Sequence, residues 1–144
     1  PHGISMFQKK GKTTIAAINH TLEGEFIEIF TLKDEQLTHQ RTLKNELIFS
    51  PNDIVLLDEK RFYFTNDHKY KEGIGRLAED YLGIAASNVI YFDGEKYLEV
   101  TDEIAYANGI NIDSKRNLVF VASPRKFLVK VYTLEESKKL GLND

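Results

Sequence analysis

Apolar and polar residues alternate along most of this chain with the two-residue period of strands that bury one face. Three runs are rich in β-branched and aromatic residues: Thr13-Thr14-Ile15-Ala16-Ala17-Ile18, Arg61-Phe62-Tyr63-Phe64-Thr65 and Asn117-Leu118-Val119-Phe120-Val121-Ala122. Each follows a turn-prone stretch, at residues 8–12, 58–60 and 113–117. Strand, turn, strand predicts a hairpin in each case. Further strands are predicted over 25–32 and 128–134, where the alternation is clean, and over 38–43. In the middle of the chain, strands at 87–93 and 97–100 flank a turn at Asp93-Gly94. Before these strands, Ile74, Leu77, Ala78, Tyr81 and Leu82 fall at helical spacing, which predicts one short amphipathic helix over 70–82, closed by Gly83. The polar tail from Glu135 to Asp144 predicts a frayed loop or a short helix.

The pattern repeats. His2-Gly3-Ile4, Asn52-Asp53-Ile54 and Asn108-Gly109-Ile110 recur at intervals of roughly 50 residues. Each triplet opens with a side chain able to bind a metal or move a proton, and each leads into a β-rich run. Four strands in about 50 residues is the size of one propeller blade. The expected architecture is all-β, with three blade-like repeats over 1–50, 51–105 and 106–144. Blades set their first strands around a common axis, so residues at matching positions converge. Closed rings need at least four blades, and three would leave unpaired sheet faces. The chain is therefore read as about half of a ring, completed by blades from the same or an associated chain.

Composition narrows the chemistry. The 144 residues carry 19 basic and 22 acidic side chains, a net charge of −3, and no basic stripe of the kind that binds nucleic acid. Lys9-Lys10-Gly11-Lys12 is expected to be a solvated turn. There is no cysteine, which excludes disulfides, zinc–thiolate sites and a cysteine nucleophile within the chain. A metal here must be held by oxygen or imidazole. No apolar run is long enough to span a bilayer, no signal-peptide pattern is visible in a chain that starts at Pro1, and the compartment is left open. Gly-x-Ser-x-Gly, P-loop and dinucleotide fingerprints are absent.

Asn52 and Asn108 open successive repeats, so both amide carbonyls can face the axis, and calcium accepts such oxygens among its six to eight ligands. The alternative is that each caps a turn. Asp53 follows Asn52, and neighbours on an extended chain point to opposite sides. Its apolar surroundings, Ile54-Val55-Leu56-Leu57, imply a carboxylate that needs a partner. His2 and His20 are the candidate acid–base pair, since imidazole titrates near neutrality.

Five segments taken in order resemble the paraoxonase/arylesterase family of calcium-dependent lactonases. They are Pro1-His2-Gly3-Ile4-Ser5, Ile18-Asn19-His20, Asn52-Asp53-Ile54-Val55, Phe62-Tyr63-Phe64-Thr65-Asn66-Asp67-His68 and Tyr106-Ala107-Asn108-Gly109-Ile110-Asn111-Ile112. The resemblance implies a six-bladed β-propeller with two calcium ions in its tunnel, one catalytic and one structural. It implies that Asn52 and Asn108 hold the catalytic ion. Asp53 and the backbone carbonyl of Ile4 would hold the structural one. His2 and His20 would form a dyad that activates water for attack on a lactone or aryl ester. His68 and Asp67 would support the pocket, and Tyr106 would stand at the position of an aromatic wall, with core packing as its alternative. His39 is read as a surface residue. Family helices near residues 70–82 face lipid, but here Lys71, Glu72, Arg76, Glu79 and Asp80 argue against deep insertion. The remaining calcium ligands would come from other blades. The principal rival is a propeller without catalysis, a binding or scaffold module of the strictosidine-synthase-like kind. A carbohydrate-binding propeller is disfavoured by the lack of tryptophan.

Overall fold

In the computed structural model, residues 2–68, 87–134 and 140–142 are described, with the backbone alone at 102–103 and 140–142. They form three four-stranded antiparallel sheets. The first holds β1 (Ile4–Lys9), β2 (Lys12–Thr21), β3 (Gly24–Lys33) and β4 (Gln36–Leu43) in sequential order. The second holds β5 (Pro51–Leu56), β6 (Phe62–Asn66), β7 (Ser87–Phe92) and β8 (Tyr97–Ile104). The third holds β9 (Ile110–Asp113), β10 (Leu118–Ser123), β11 (Leu128–Leu134) and β12 (Leu140–Leu142), with a 3₁₀ turn at Pro124–Lys126. This is the expected all-β arrangement of three consecutive meander sheets, as in part of a propeller. The helix expected over 70–82 lies outside the described residues.

One expectation is overturned. The tail was expected to be a frayed loop or short helix, yet Leu140–Leu142 pairs with Tyr132–Leu134 as the outermost strand of the third sheet. Three residues give too short a pattern to show a period. The exposed polar groups of β11 supply the pairing instead.

The turns follow from their residues. Between β1 and β2, Lys10 (φ 49°) and Gly11 (φ 76°) both adopt positive φ, the mirror-image turn that matches strand twist. In three other hairpins an aspartate closes the loop, Oδ1 accepting two successive backbone N–H groups. Asp58 takes those of Lys60 and Arg61, Asp93 those of Glu95 and Lys96, and Asp113 those of Lys115 and Arg116.

Apolar side chains sort into two cores, one between each pair of neighbouring sheets. Ala16, Ile18, Ile27 and Ile29 of the first sheet pack on Ile54, Phe62, Phe64, Ile90 and Phe92 of the second. From the other face of the second sheet, Val55, Tyr63, Val89 and Tyr91 pack on Ile110, Val119, Val121 and Tyr132 of the third. The middle sheet is thus buried on both sides, and β6 and β7 have no exposed position. The outer sheets keep one face open. Ile4 and Met6 are 60% and 65% exposed on the first, and Val129 is 58% exposed on the third.

Candidate functional site

The three opening triplets meet. The first strands β1, β5 and β9 lie side by side, and Asp53 is at the junction. Its Oδ2 accepts the Ile110 N–H from the third sheet at 2.9 Å, and its Oδ1 accepts the Ile54 N–H at 2.9 Å. Gly3 of the first sheet is pressed against it. A Cβ on Gly3 would fall 2.6 Å from Asp53 Cα and 2.7 Å from its Oδ1. Gly109 adjoins the other oxygen with ordinary room, 3.7 Å from such a Cβ to Oδ2. The middle position of the first triplet is therefore glycine for a steric reason. The side chain absent at Gly3 makes space for Asp53, while Gly109 adjoins it without crowding.

A β-bulge sets the directions of Asn52 and Asp53. β5 pairs Pro51 with Asn66 and Ile54 with Phe64, so two residues on one strand oppose Thr65 alone on the other. Thr65, fully buried, then ties the junction together. Its Oγ accepts the Asp53 N–H at 3.1 Å and donates to the Asn108 carbonyl at 2.7 Å. Thr65 stands within one of the segments that carry the resemblance, but its role follows from the bulge and has no sequence signal.

Asn52 turns the other way and is buried. Its amide nitrogen donates to Asp67 Oδ2 at 3.1 Å, which leaves the carbonyl oxygen as its remaining polar face. Asp67 also accepts from Ser50 Oγ at 2.5 Å and from His68 Nδ1 at 2.8 Å. Burial alone would raise its carboxyl, but the hydrogen bonds from Ser50, His68 and Asn52 outweigh burial and hold it below the ordinary value of 3.8. Asp67 is thus an acceptor whose oxygens are engaged by three donors, and it orients Asn52. His68 is buried, with its ring edge-on to Tyr106 at 4.9 Å between centroids, and the Arg125 guanidinium lies 4.7 Å from the Tyr106 ring centre. Asn108, half-buried, is held through its backbone, its N–H donating to the Ala122 carbonyl and its carbonyl accepting from Thr65 Oγ. Ile4 begins β1 opposite Ala17, one residue after the Gly3 contact with Asp53.

His2 and His20 are together. His2 Nδ1 lies 3.2 Å from His20 Nε2, with ring centroids 5.3 Å apart and planes inclined by 68°. The second ring nitrogen of His20 bonds Glu25, a partner that the motifs did not reveal. Its signal was the two-residue turn Leu22-Glu23, which sets His20 directly opposite Glu25 in the β2–β3 hairpin. His39 is on β4, half exposed, and bonds Glu28 at 2.9 Å away from this cluster.

Among the described residues no three histidine or acidic side chains gather into a self-sufficient metal site. The donors at the junction are amide, carboxylate and backbone oxygens. Such oxygens are the ligand chemistry of a hard cation such as calcium, while both Asp53 oxygens already accept backbone N–H groups. No described helix is long and apolar enough to cross a membrane.

A family model for arylesterases matches the chain over residues 1–144. The chain is 35% identical to mouse serum paraoxonase/arylesterase 1 over 135 residues, covering 92% of this chain and 38% of that protein. It is 33% identical to rat serum paraoxonase/arylesterase 2 over 145 residues, covering 99% and 40%. It is 32% identical to human serum paraoxonase/arylesterase 1 over 152 residues, covering 99% and 43%. The chain spans about two fifths of the length of these relatives, and it belongs to the arylesterase family.

Proposed function

We propose that this chain forms about three blades of a six-bladed propeller that hydrolyses lactones and aryl esters with the help of calcium. The observation that carries the reading is the His2–His20 hydrogen bond beside a junction where the openings of three sheets meet at Asp53. The relatives' names, serum paraoxonase/arylesterase, agree with ester hydrolysis.

The residues divide the work by their chemistry. Asn52, held by Asp67, offers a carbonyl oxygen, and Asn108 offers another from the next repeat; these two are assigned to the catalytic ion. Asp53, together with the Ile4 carbonyl, is assigned to a second, structural ion that fastens the first strands. When bound, calcium supplies a Lewis acid that polarises the ester carbonyl and favours the developing oxyanion. His2 takes a proton from water at one ring nitrogen while its Nδ1 faces His20. The hydroxide so formed attacks the ester carbon, the acyl C–O bond breaks, and the proton held by the histidine pair goes to the departing oxygen. Tyr106 and His68 shape the wall beside Asn52, since the two rings pack edge to face.

The open outer faces call for neighbours. Ile4, Met6, Ile15 and Phe30 lie in facing positions on the first sheet, and Phe120, Val129 and Val131 on the third. Further blades cover these faces in the complete ring, in the same or an associated chain, and supply the remaining ligands. Lactone hydrolysis by the complete protein tests the reading. Turnover is expected to vanish in chelator and to return with added calcium. Turnover that persists without metal overturns the calcium mechanism, and absence of turnover even with calcium leaves a binding propeller as the alternative.

A further inference from the structure

We infer that Glu25 is a positioning residue that fixes the polarity of the His2–His20 pair, an inference that rests on the dyad reading above. Thr21 Oγ accepts the Glu23 N–H at 3.1 Å and donates to the Gly24 carbonyl at 3.0 Å, which locks the turn between β2 and β3. Thr21 pairs with Gly24, so His20 and Glu25 face each other as the next rung of the ladder. Directly opposed side chains in an antiparallel pair lie close enough to bond. The backbone therefore presents the carboxylate to His20 Nδ1 independently of the rest of the site.

A carboxylate accepts hydrogen bonds and has no proton to give. The hydrogen shared with Glu25 is consequently on His20 Nδ1, and in the neutral ring His20 Nε2 carries a lone pair. That lone pair faces His2 Nδ1 at 3.2 Å, so the hydrogen between the two rings belongs to His2 Nδ1. By the same rule His2 Nε2 is the unprotonated nitrogen, the one able to receive a proton from water. Glu25 thus determines, through two rings, which end of the pair is basic. When His2 Nε2 gains a proton, the Nδ1 proton can pass to His20 Nε2, and the positive charge comes to rest next to Glu25. Without the carboxylate, an imidazole in water favours the Nε2–H form. His20 would then donate to His2 Nδ1, and His2 Nε2 would carry the hydrogen and lose its function as a base. The third group orients the base, as in other triads.

His20 and Glu25 keep 38% and 20% of their side-chain surface exposed, so the pair is not a stability element on which the fold depends. The test uses the complete, calcium-loaded protein labelled with ¹⁵N-histidine. Wild type is expected to show His20 protonated on Nδ1 and His2 with an unprotonated Nε2. In Glu25→Ala the His20 signals should move to the Nε2–H form. Its kcat should fall about tenfold with KM within about twofold. Glu25→Gln retains an acceptor oxygen, so it should keep the Nδ1–H form and recover turnover to within about threefold of wild type. An unchanged His20 tautomer in Glu25→Ala overturns the inference, as does a loss confined to KM. His2→Gln separates the two levels. If that variant turns over normally, the dyad reading fails, whereas the tautomer measurement judges Glu25 on its own.

Discussion

Gly3 and Gly109 flank Asp53 from two sheets, but the room at the two glycines differs. At Gly3 a methyl group would meet the backbone of Asn52 and Asp53 at 2.6 to 2.9 Å, and backbone cannot step aside. Gly3→Ala is expected to lower the unfolding free energy of the complete protein by about 1–3 kcal/mol, and Gly109→Ala by less than about 1 kcal/mol, in denaturant titrations. Equal effects would show that the crowding at Asp53 is not what selects glycine. A second residue-scale prediction concerns Glu28. Burial would raise its carboxyl, but hydrogen bonds from Thr42 at 2.6 Å, His39 at 2.9 Å and Asn19 at 3.2 Å outweigh burial and lower it from 4.5. A carboxyl that is lowered on folding stabilises the protein above its unfolded value, and the gain is lost as pH falls through the folded one. Stability measured from about pH 5 down to about pH 3 should therefore fall less steeply in Glu28→Gln than in wild type. At this scale the sequence showed the histidine pair and the Asn–Asp step, because motifs name residue types. It did not show Glu25 or Thr65, whose partners depend on which residue lies across the ladder.

Elements position the site by small departures from regularity. The bulge at Asn52–Asp53 sends one side chain toward Asp67 and the other toward Ile110, and Thr65 occupies the space that the bulge opens. Thr65→Val keeps the shape but leaves the Asp53 N–H and the Asn108 carbonyl without their buried partner. The expected cost is about 1–3 kcal/mol, together with weakened calcium affinity in equilibrium titration; Thr65→Ser should retain most of both. Strands were the most legible elements. β6 and β10 stand within a residue of the expected runs and β2 runs on to Thr21, three residues past the run expected to end at Ile18, since β-branched and aromatic alternation is strong in Thr13–Ile18 and Phe62–Thr65. β12 was missed because Leu140–Leu142 is a strand only by virtue of the edge that β11 offers it. Bulges are likewise silent in a one-dimensional pattern. A two-residue step such as Asn52–Asp53 reads as extended chain until the facing strand is counted.

At the scale of the whole molecule, the two cores share the middle sheet, and both flanking sheets expose apolar faces. The repeat foretold this arrangement, since matching triplets imply matching sheets around one axis. It could not foretell how tightly those sheets engage, which depends on close approach at Gly3. If a structural ion sits at the junction, chelation of the complete protein should lower its melting temperature by about 5 °C or more. Asp53→Asn should melt earlier and respond little to chelator. An equal response to chelator in Asp53→Asn and wild type would remove Asp53 from the ligand set.

The junction also has an arithmetic in time. Ser5 meets the Leu56 N–H across 51 positions of chain, and Asp53 meets the Ile110 N–H across 57. Contacts of such separation form late, after local hairpins have already closed. On the ribosome, then, each hairpin can zip as soon as it emerges, while Asp53 waits for a strand not yet translated. Until that strand arrives, the Asp53 carboxylate lacks its partner across the seam, and the second and third sheets can join only after the hairpins of the second have formed.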